Sequence, residues 1–538
     1  MYADERLWIA HNKDAGRLYL RPEKANRHGL IAGATGTGKT ISLKVMAESF
    51  SDLGVPVFLA DIKGDLAGMI APGVDSENMR ERINRFGIDN WEYRRYPTMF
   101  WDVFGEKGHN VRTTISEMGP LLLARQLGLN ETQTGILNIV FRFADENGLL
   151  LLDIKDLKAV LRNIAENSKL LSAEYGNIAP QSVNTILRAI LPLEDQGGEI
   201  FFGEPSFDVK DFMKTTYDGR GWINVLHCEK LFTKPLLYST FLMWLLTELY
   251  EALPEVGDAE KPKVVFFFDE AHLLFDDAPK ILIQKIEQVV RLIRSKGVGV
   301  YFISQSPTDI PDSILAQLGN RVQHALRAFT PAEIKKVRAA ADTFRANPNF
   351  STMDTIMELA TGEALVSFLT EDGSPMPVER AFILPPQSKM GGISDDERAA
   401  AMQNDGIGSK YDTAVDRESA YELLTAKAEQ AAVEAEQEAE VLAEERNAAL
   451  EKKAEAQMKA ASDKTKKAAL TKAERIAKSA ANSATRSVIS STLRRSVTKN
   501  QSIGTKAMNS AYNSVLNGVG REISTSIVRG LFGNLLGK

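Results

Sequence analysis

At 538 residues, with 44% apolar content and a formal net charge of -6, the chain can bury a large core in more than one part and is not a generally basic polyanion binder. Its one cysteine, Cys228, excludes an intramolecular disulfide framework. The opening Met1-Tyr2-Ala3-Asp4-Glu5-Arg6 has no leader character, and the longest apolar neighbourhood, Leu236 to Leu246, is too short to span a bilayer. A cytoplasmic protein without a transmembrane segment is therefore expected.

In chain order, Trp8-Ile9-Ala10 and Arg17-Leu18-Tyr19-Leu20 pair as one short hairpin within residues 1–27. His28 to Ala32 reads as a buried strand that hands over to Gly33-Ala34-Thr35-Gly36-Thr37-Gly38-Lys39-Thr40, and Ile41 to Phe50 reads as a helix. The eight residues satisfy G-x-x-x-x-G-K-[ST] in the strand-to-helix context that a phosphate-binding loop requires. Glycines let consecutive N–H groups turn inward around a phosphate at a helix N-terminus, where the helix dipole also favours negative charge. Lys39 then reaches the β- and γ-phosphates of ATP, and the Thr40 hydroxyl ligates Mg²⁺.

Val55 to Ala60 is a second apolar strand, ending in Asp61. The turn Asp61-Ile62-Lys63-Gly64-Asp65 after it either contacts a Mg²⁺-bound water or nucleic acid, or is merely a turn bent at Gly64. Trp91, Tyr93, Arg94, Arg95 and Tyr96 have the composition of a nucleic-acid contact and equally that of a packed strand edge. Apolar residues then recur at helical spacing over Thr113 to Gln126, Thr134 to Ala144, Ile154 to Ile164 and Ser182 to Leu191. This reads as a helical insertion over about 105–219, serving as a lid or a subunit contact.

Trp222 to His227 resumes the strands. Lys263-Val264-Val265-Phe266-Phe267-Phe268 runs uninterrupted into Asp269-Glu270, the pattern of a strand buried on both faces of a parallel sheet. Asp269 is expected to hold Mg²⁺ and Glu270 to polarise the attacking water. In the helix Ile281 to Gly297, positions 282, 286, 289, 290 and 293 form one apolar face. Val298 to Ile303 ends in Ser304-Gln305. Ligands of open α/β sheets lie beyond the carboxyl ends of the strands, so Asp61, Asp269, Glu270 and Gln305 should converge on the phosphate loop, with Gln305 sensing γ-phosphate or water.

Residues 387–416 read as a linker, and 417–500 as a charged helical or coiled-coil arm. Glu422 to Glu445 holds eight acids against one base, Lys427, whereas Lys464 to Lys499 holds ten bases against one acid, Glu474. The basic part binds nucleic-acid phosphates or pairs with an acidic helix. The segment 501–538 alternates small and apolar residues, as in an amphipathic end that docks on its own assembly or lies on a membrane.

Taken together, GATGTGKT, FFFDEAH, RSKGVGVYFISQSP and Leu318-Gly319-Asn320-Arg321-Val322 resemble the HerA/FtsK group of ring-forming P-loop ATPases, with the closest likeness to the bacterial HerA-like proteins. The resemblance runs from about Asn26 to Pro386 and implies an α/β, RecA-like core over 28–386 that works as a homohexamer pumping double-stranded DNA. It also implies an arginine supplied by a neighbouring subunit to the γ-phosphate, Arg294 by motif position with Arg321 second, and it allows a nuclease or other accessory partner. The small β-barrel that precedes the core in HerA has no counterpart within Met1 to Arg27. An ATP-gated assembly or remodelling protein that translocates nothing, and a protein unfoldase, are the other readings.

Overall fold

The structure is a computed structural model that describes residues 2–3, 5–13, 15–88, 91–257, 259–275 and 280–465. The basic stretch from Lys464 to Lys499 falls almost wholly outside these, and the amphipathic segment 501–538 wholly so.

Thirteen strands of the described residues form one sheet. In chain order they are β1 (Tyr2–Ala3), β2 (Arg6–Asn12), β3 (Gly16–Leu20), β4 (Gly29–Ala32), β5 (Val57–Asp61), β6 (Thr98–Asp102) and β7 (His109–Asn110). Then come β8 (Ile223–His227), β9 (Val264–Phe268), β10 (Val298–Ser304), β11 (Asn320–Gln323), β12 (Glu363–Ser367) and β13 (Glu379–Ile383). The spatial order is β1-β2-β13-β12-β11-β4-β10-β9-β5-β8-β6-β7, with β3 paired to β2. From β11 to β7 every pairing is parallel, and from β11 back to β1 every pairing is antiparallel.

The strand before the phosphate loop, β4, does not neighbour β9, because β10 lies between them. This is the additional-strand arrangement of RecA-like ATPases. The N-terminal hairpin of β2 and β3 joins the antiparallel edge through β13, with Phe382 opposite His11.

Alternation along the central strands sends neighbouring residues to two different cores. Phe266, Phe268, Val300 and Phe302 enter the larger core with the insertion helices, while Val265, Phe267, Tyr301 and Ile303 enter the other with Leu43, Met46 and Phe50 of the helix Lys39–Asp52. Burial on both faces is why these strands read as unbroken apolar runs.

Five helices between Ile115 and Asp195 pack on the larger core, and the first begins at Ile115 because Thr114 and Glu117 form a capping box. The helix Pro235–Ala252 is apolar around most of its circumference because it lies inside that core. Among the described residues, no helix is long and apolar enough to cross a membrane.

The residues read as a linker are packed. Ser388 donates from its N–H (3.1 Å) and hydroxyl (2.5 Å) to buried Glu48 of the phosphate-loop helix, and buried Tyr411 lies against Trp101 and Phe207. Asp405 and Asp412 accept from the two ring nitrogens of His109. The chain divides into two units, one ending at Ala431 and the other starting at Ala432. The helix Ala420–Thr465 begins in the first unit and supplies the described part of the second; from Thr425 to Ala456 its side chains are exposed.

Candidate functional site

Because β4, β5, β9, β10 and β11 run parallel and in register, their carboxyl ends share one edge of the sheet. The phosphate loop leaves β4 there. Its start is tied to two neighbouring strands, since Gly33 N–H donates to the Ser304 carbonyl (3.2 Å) and Ala34 N–H to the Ala325 carbonyl (2.9 Å). Gly33, Gly36 and Gly38 all have positive φ (154°, 77° and 122°), and a Cβ at Gly33 would stand 2.5 Å from the His324 Cβ. Thr35 and Gly36 form the exposed crest, Thr37 and Lys39 are buried, and Thr40 is half-buried. The Lys39 ammonium donates to the loop's own carbonyls at Gly33 (2.7 Å) and Ala34 (3.3 Å), and burial lowers its pKa despite the nearby Glu270 charge.

His324, directly after β11, supports this loop from beneath. Its Nδ1 can only donate to the Glu363 carbonyl (2.9 Å), so Nε2 accepts from the Ser42 hydroxyl (2.7 Å). Burial pushes its pKa down to about 4, and the ring is neutral. Nothing short-range in the sequence marks this histidine, whose partners lie 39 and 282 residues away.

Asp269 and Glu270 follow β9 on the same edge. Burial first, then the Glu270 charge, pushes the Asp269 carboxyl up to about 7. Glu270 is held in the left-handed region (φ 48°, ψ 47°), a conformation costing on the order of 1–3 kcal/mol outside glycine, and such strain clusters at functional sites. Its Oε1 is ion-paired with Lys63; its buried Oε2 has no hydrogen bond, with His272 Nδ1 3.4 Å away. Burial alone would raise the Glu270 carboxyl, but the Lys63 hydrogen bond and charge outweigh it and hold the pKa below the usual range.

The residues fit Mg²⁺ and ATP. Lys39 is the phosphate cation beside the positive-φ loop glycines, and the Thr40 hydroxyl with the buried Asp269 carboxylate is a hard oxygen set of the kind Mg²⁺ takes. A cation beside Asp269 would relieve the repulsion from Glu270 that raises its pKa.

Gln305 is exposed and lines a cavity of about 270 Å³ with Ala34, His272, Asp309, Arg327 and Lys336, which places it beside the phosphate loop. The Asp309 carboxylate accepts from Ser304 Oγ and Ser306 N–H (2.8 Å each), fixing the backbone around Gln305.

Asp61 reaches the same edge but does not converge on the phosphates. Its carboxylate accepts from Gly64 N–H (2.8 Å) and Leu66 N–H (3.1 Å), closing its own turn, and burial and Asp65 push its pKa up to about 6. What the turn delivers to the site is Lys63.

The two candidate arginines lie elsewhere. Arg294 lies in the helical turn Ile293–Lys296 before β10, and its carbonyl accepts from Asn26 (3.4 Å), so it stands at the end of β4 opposite the phosphate loop. The Arg321 guanidinium donates to the carbonyls of Leu315 (3.1 Å), Leu318 (2.9 Å) and Thr343. Arg94, in the aromatic-basic group, is engaged by Asp52, Tyr96 and Gln387, as in a packed edge.

The family described as helicase HerA-like C-terminal matches residues 6–500. The chain is 22% identical over 356 residues to the DNA double-strand break repair helicase HerA of Sulfurisphaera tokodaii, covering 64% of this chain and 63% of that protein. It is 22% identical over 413 residues to the protein of the same name from Pyrococcus furiosus, covering 68% and 69%. The chain thus spans less than two thirds of the first relative's length. Among solved structures, the plasmid coupling protein TrwB with the ATP analogue ADPNP aligns at TM-score 0.47 and 14% identity, covering 72% of this chain and 91% of that one. VirB4 of Thermoanaerobacter pseudethanolicus aligns at TM-score 0.45 and 14% identity, covering 71% and 96%.

Proposed function

The chain belongs to the helicase HerA-like C-terminal family, and from that premise we propose that it is a Mg²⁺-dependent ATP hydrolase working as a homohexameric motor on double-stranded DNA. The observation that carries the hydrolase reading is the gathering of the phosphate loop, Asp269, Glu270 and Gln305 along one edge of the parallel sheet. The loop's N–H groups and Lys39 would bind the phosphates, and Thr40 and Asp269 would hold Mg²⁺, which would supply neutralisation of the phosphate charge. Glu270 orients a water and accepts its proton, with Oε2 the oxygen left without a hydrogen bond for it. Gln305 touches the γ-phosphate or that water.

Arg294 is the arginine assigned to a neighbouring subunit's γ-phosphate. Its place at the far end of β4 from the chain's own loop suits a residue acting in trans. Such an arginine supplies roughly 10³–10⁵ in rate. The DNA substrate comes from the relatives named as double-strand break repair helicases.

The test is steady-state ATP turnover with and without linear duplex DNA, at low and physiological salt, with Glu270→Gln as the blank. Severalfold stimulation that fades with salt is the expected result, because phosphate contacts release counterions. Turnover indifferent to DNA at both salts would instead favour an ATP-gated assembly protein, a reading to which the helix Ala420–Thr465, exposed from Thr425 to Ala456, lends itself as a moving arm.

A further inference from the structure

The strand order sets the direction in which a nucleotide lies along the loop-bearing edge. Glu270 and Gln305 follow β9 and β10 on one side of β4, whereas β11 and β12 lie on the other. A triphosphate whose γ end meets Glu270 and Gln305 therefore points its nucleoside toward β12. Because β12 runs antiparallel to β11, its beginning stands at this same edge. There Gly362 N–H donates to the Thr37 carbonyl of the phosphate loop (3.2 Å). Gly362 has a φ of +86°, and a Cβ placed on it would meet Arg82 Nη1 at 3.5 Å and Cζ at 3.9 Å. The Arg82 guanidinium thus lies over the backbone that is bonded to the loop, and a longer side chain at 362 would lift it away.

Arg82 is half-buried on the helix Glu77–Arg85. Its Nε donates to Asn78 Oδ1 (2.8 Å) one turn earlier, which fixes the plane of the guanidinium. The neighbouring arginines are neutralised, Arg80 by Asp75, Arg85 by Glu81 and Arg380 by Glu363. Arg82 is held by a neutral amide instead, and it has no carboxylate partner among the described residues.

We propose that Arg82 binds the nucleoside end of ATP, its guanidinium lying on the face of the purine base. A guanidinium is planar, permanently charged and weakly hydrated, so it stacks on aromatic faces in a way that an ammonium does not. The phosphates already have the loop's N–H groups and Lys39, and the γ end lies on the other side of β4, so what comes within reach of Arg82 is the base. The helix that carries Arg82 then serves as a wall of the nucleotide site. This inference rests on the reading of the loop as an ATP site and is independent of any DNA substrate.

The experiment is a calorimetric titration of the full chain and of its Arg82→Ala and Arg82→Lys variants with the non-hydrolysable ATP analogue ADPNP and, separately, with inorganic tripolyphosphate, both with Mg²⁺. Arg82→Ala should weaken ADPNP about fivefold, the scale of a partly desolvated cation–π contact. Tripolyphosphate, which has no base, should bind the variant as it binds the unsubstituted chain, and this also shows that the variant is folded. Arg82→Lys keeps the charge and loses the plane, so it should weaken ADPNP nearly as much as Arg82→Ala does. Unchanged ADPNP affinity in Arg82→Ala overturns the contact. Equal losses for ADPNP and tripolyphosphate place Arg82 on the phosphates and overturn the stacking, as does Arg82→Lys with the affinity of the unsubstituted chain. An unsubstituted chain that binds neither ligand overturns the ATP reading and this inference with it, whereas ADPNP binding that ignores Arg82 overturns this inference alone.

Discussion

Glu270 is the residue on which turnover should depend most steeply. Glu270→Gln keeps the side chain's size and removes its basicity, so ATP should bind as before while turnover falls by roughly 10² or more. A fluorescent ATP analogue and single-turnover hydrolysis measure the two separately, and a near-native rate would remove Glu270 from its role. His324 beneath the loop and His28 at the other end of β4 are both fully buried, and burial holds each pKa at about 4. In the unfolded chain each takes up a proton near pH 6.5. Below that pH the unfolded state binds more protons, so stability present above 6.5 is lost as pH falls toward 4, by on the order of 3 kcal/mol per histidine. Unfolding temperatures between pH 7 and 4 should show this loss, and His324→Gln should make the profile shallower; an unchanged profile would mean that His324 does not carry it.

At the scale of elements, the segment after β13 is held by polar contacts in addition to the apolar packing of Ile407 and Tyr411. His109, from β7, lies between Asp405 and Asp412, and although burial alone would lower its pKa, their hydrogen bonds and charges raise it. A raised folded-state pKa gives stability that is complete below about 6.5 and is lost as pH rises through the raised value, the opposite sense to His324. Hydrogen exchange across residues 395–416 should therefore quicken on going from pH 6 to 9, and His109→Gln should exchange quickly at both. Equal protection at both pH values in the unsubstituted chain would contradict this. The arrangement also explains why these residues read as a linker: their partners His109 and Glu48 are about 300 positions away or more. The strands were legible because parallel pairing buries both faces, so Val264 to Phe268 and Val298 to Ile303 could only be apolar.

At the scale of the whole molecule, the proposed trans arginine would make turnover a property of assembly. Arg294→Ala should bind ATP normally and lose roughly 10³–10⁵ in kcat. Mixing Arg294→Ala with Glu270→Gln, each inactive alone, should restore part of the activity, because some interfaces then join an intact Glu270 to an intact Arg294. No recovery from a mixture shown by light scattering to have co-assembled would withdraw Arg294 from the site.

What the sequence determined by itself is whatever depends on neighbours along the chain. The loop Gly33 to Thr40 carries its own turn chemistry, the apolar strands carry their burial, and Asp269-Glu270 follows directly from the strand that delivers it. The tertiary structure decided which side chains face these groups. Asp61 and Lys63 lie two residues apart in one charged turn, and only the fold turns the first inward to close that turn and the second onto Glu270. His324 and Arg321 likewise differ by three positions, yet one supports the phosphate loop and the other clasps carbonyls. A hydrogen bond is directional and short, so its partner is chosen by the packing of elements distant in the chain, which local pattern cannot encode.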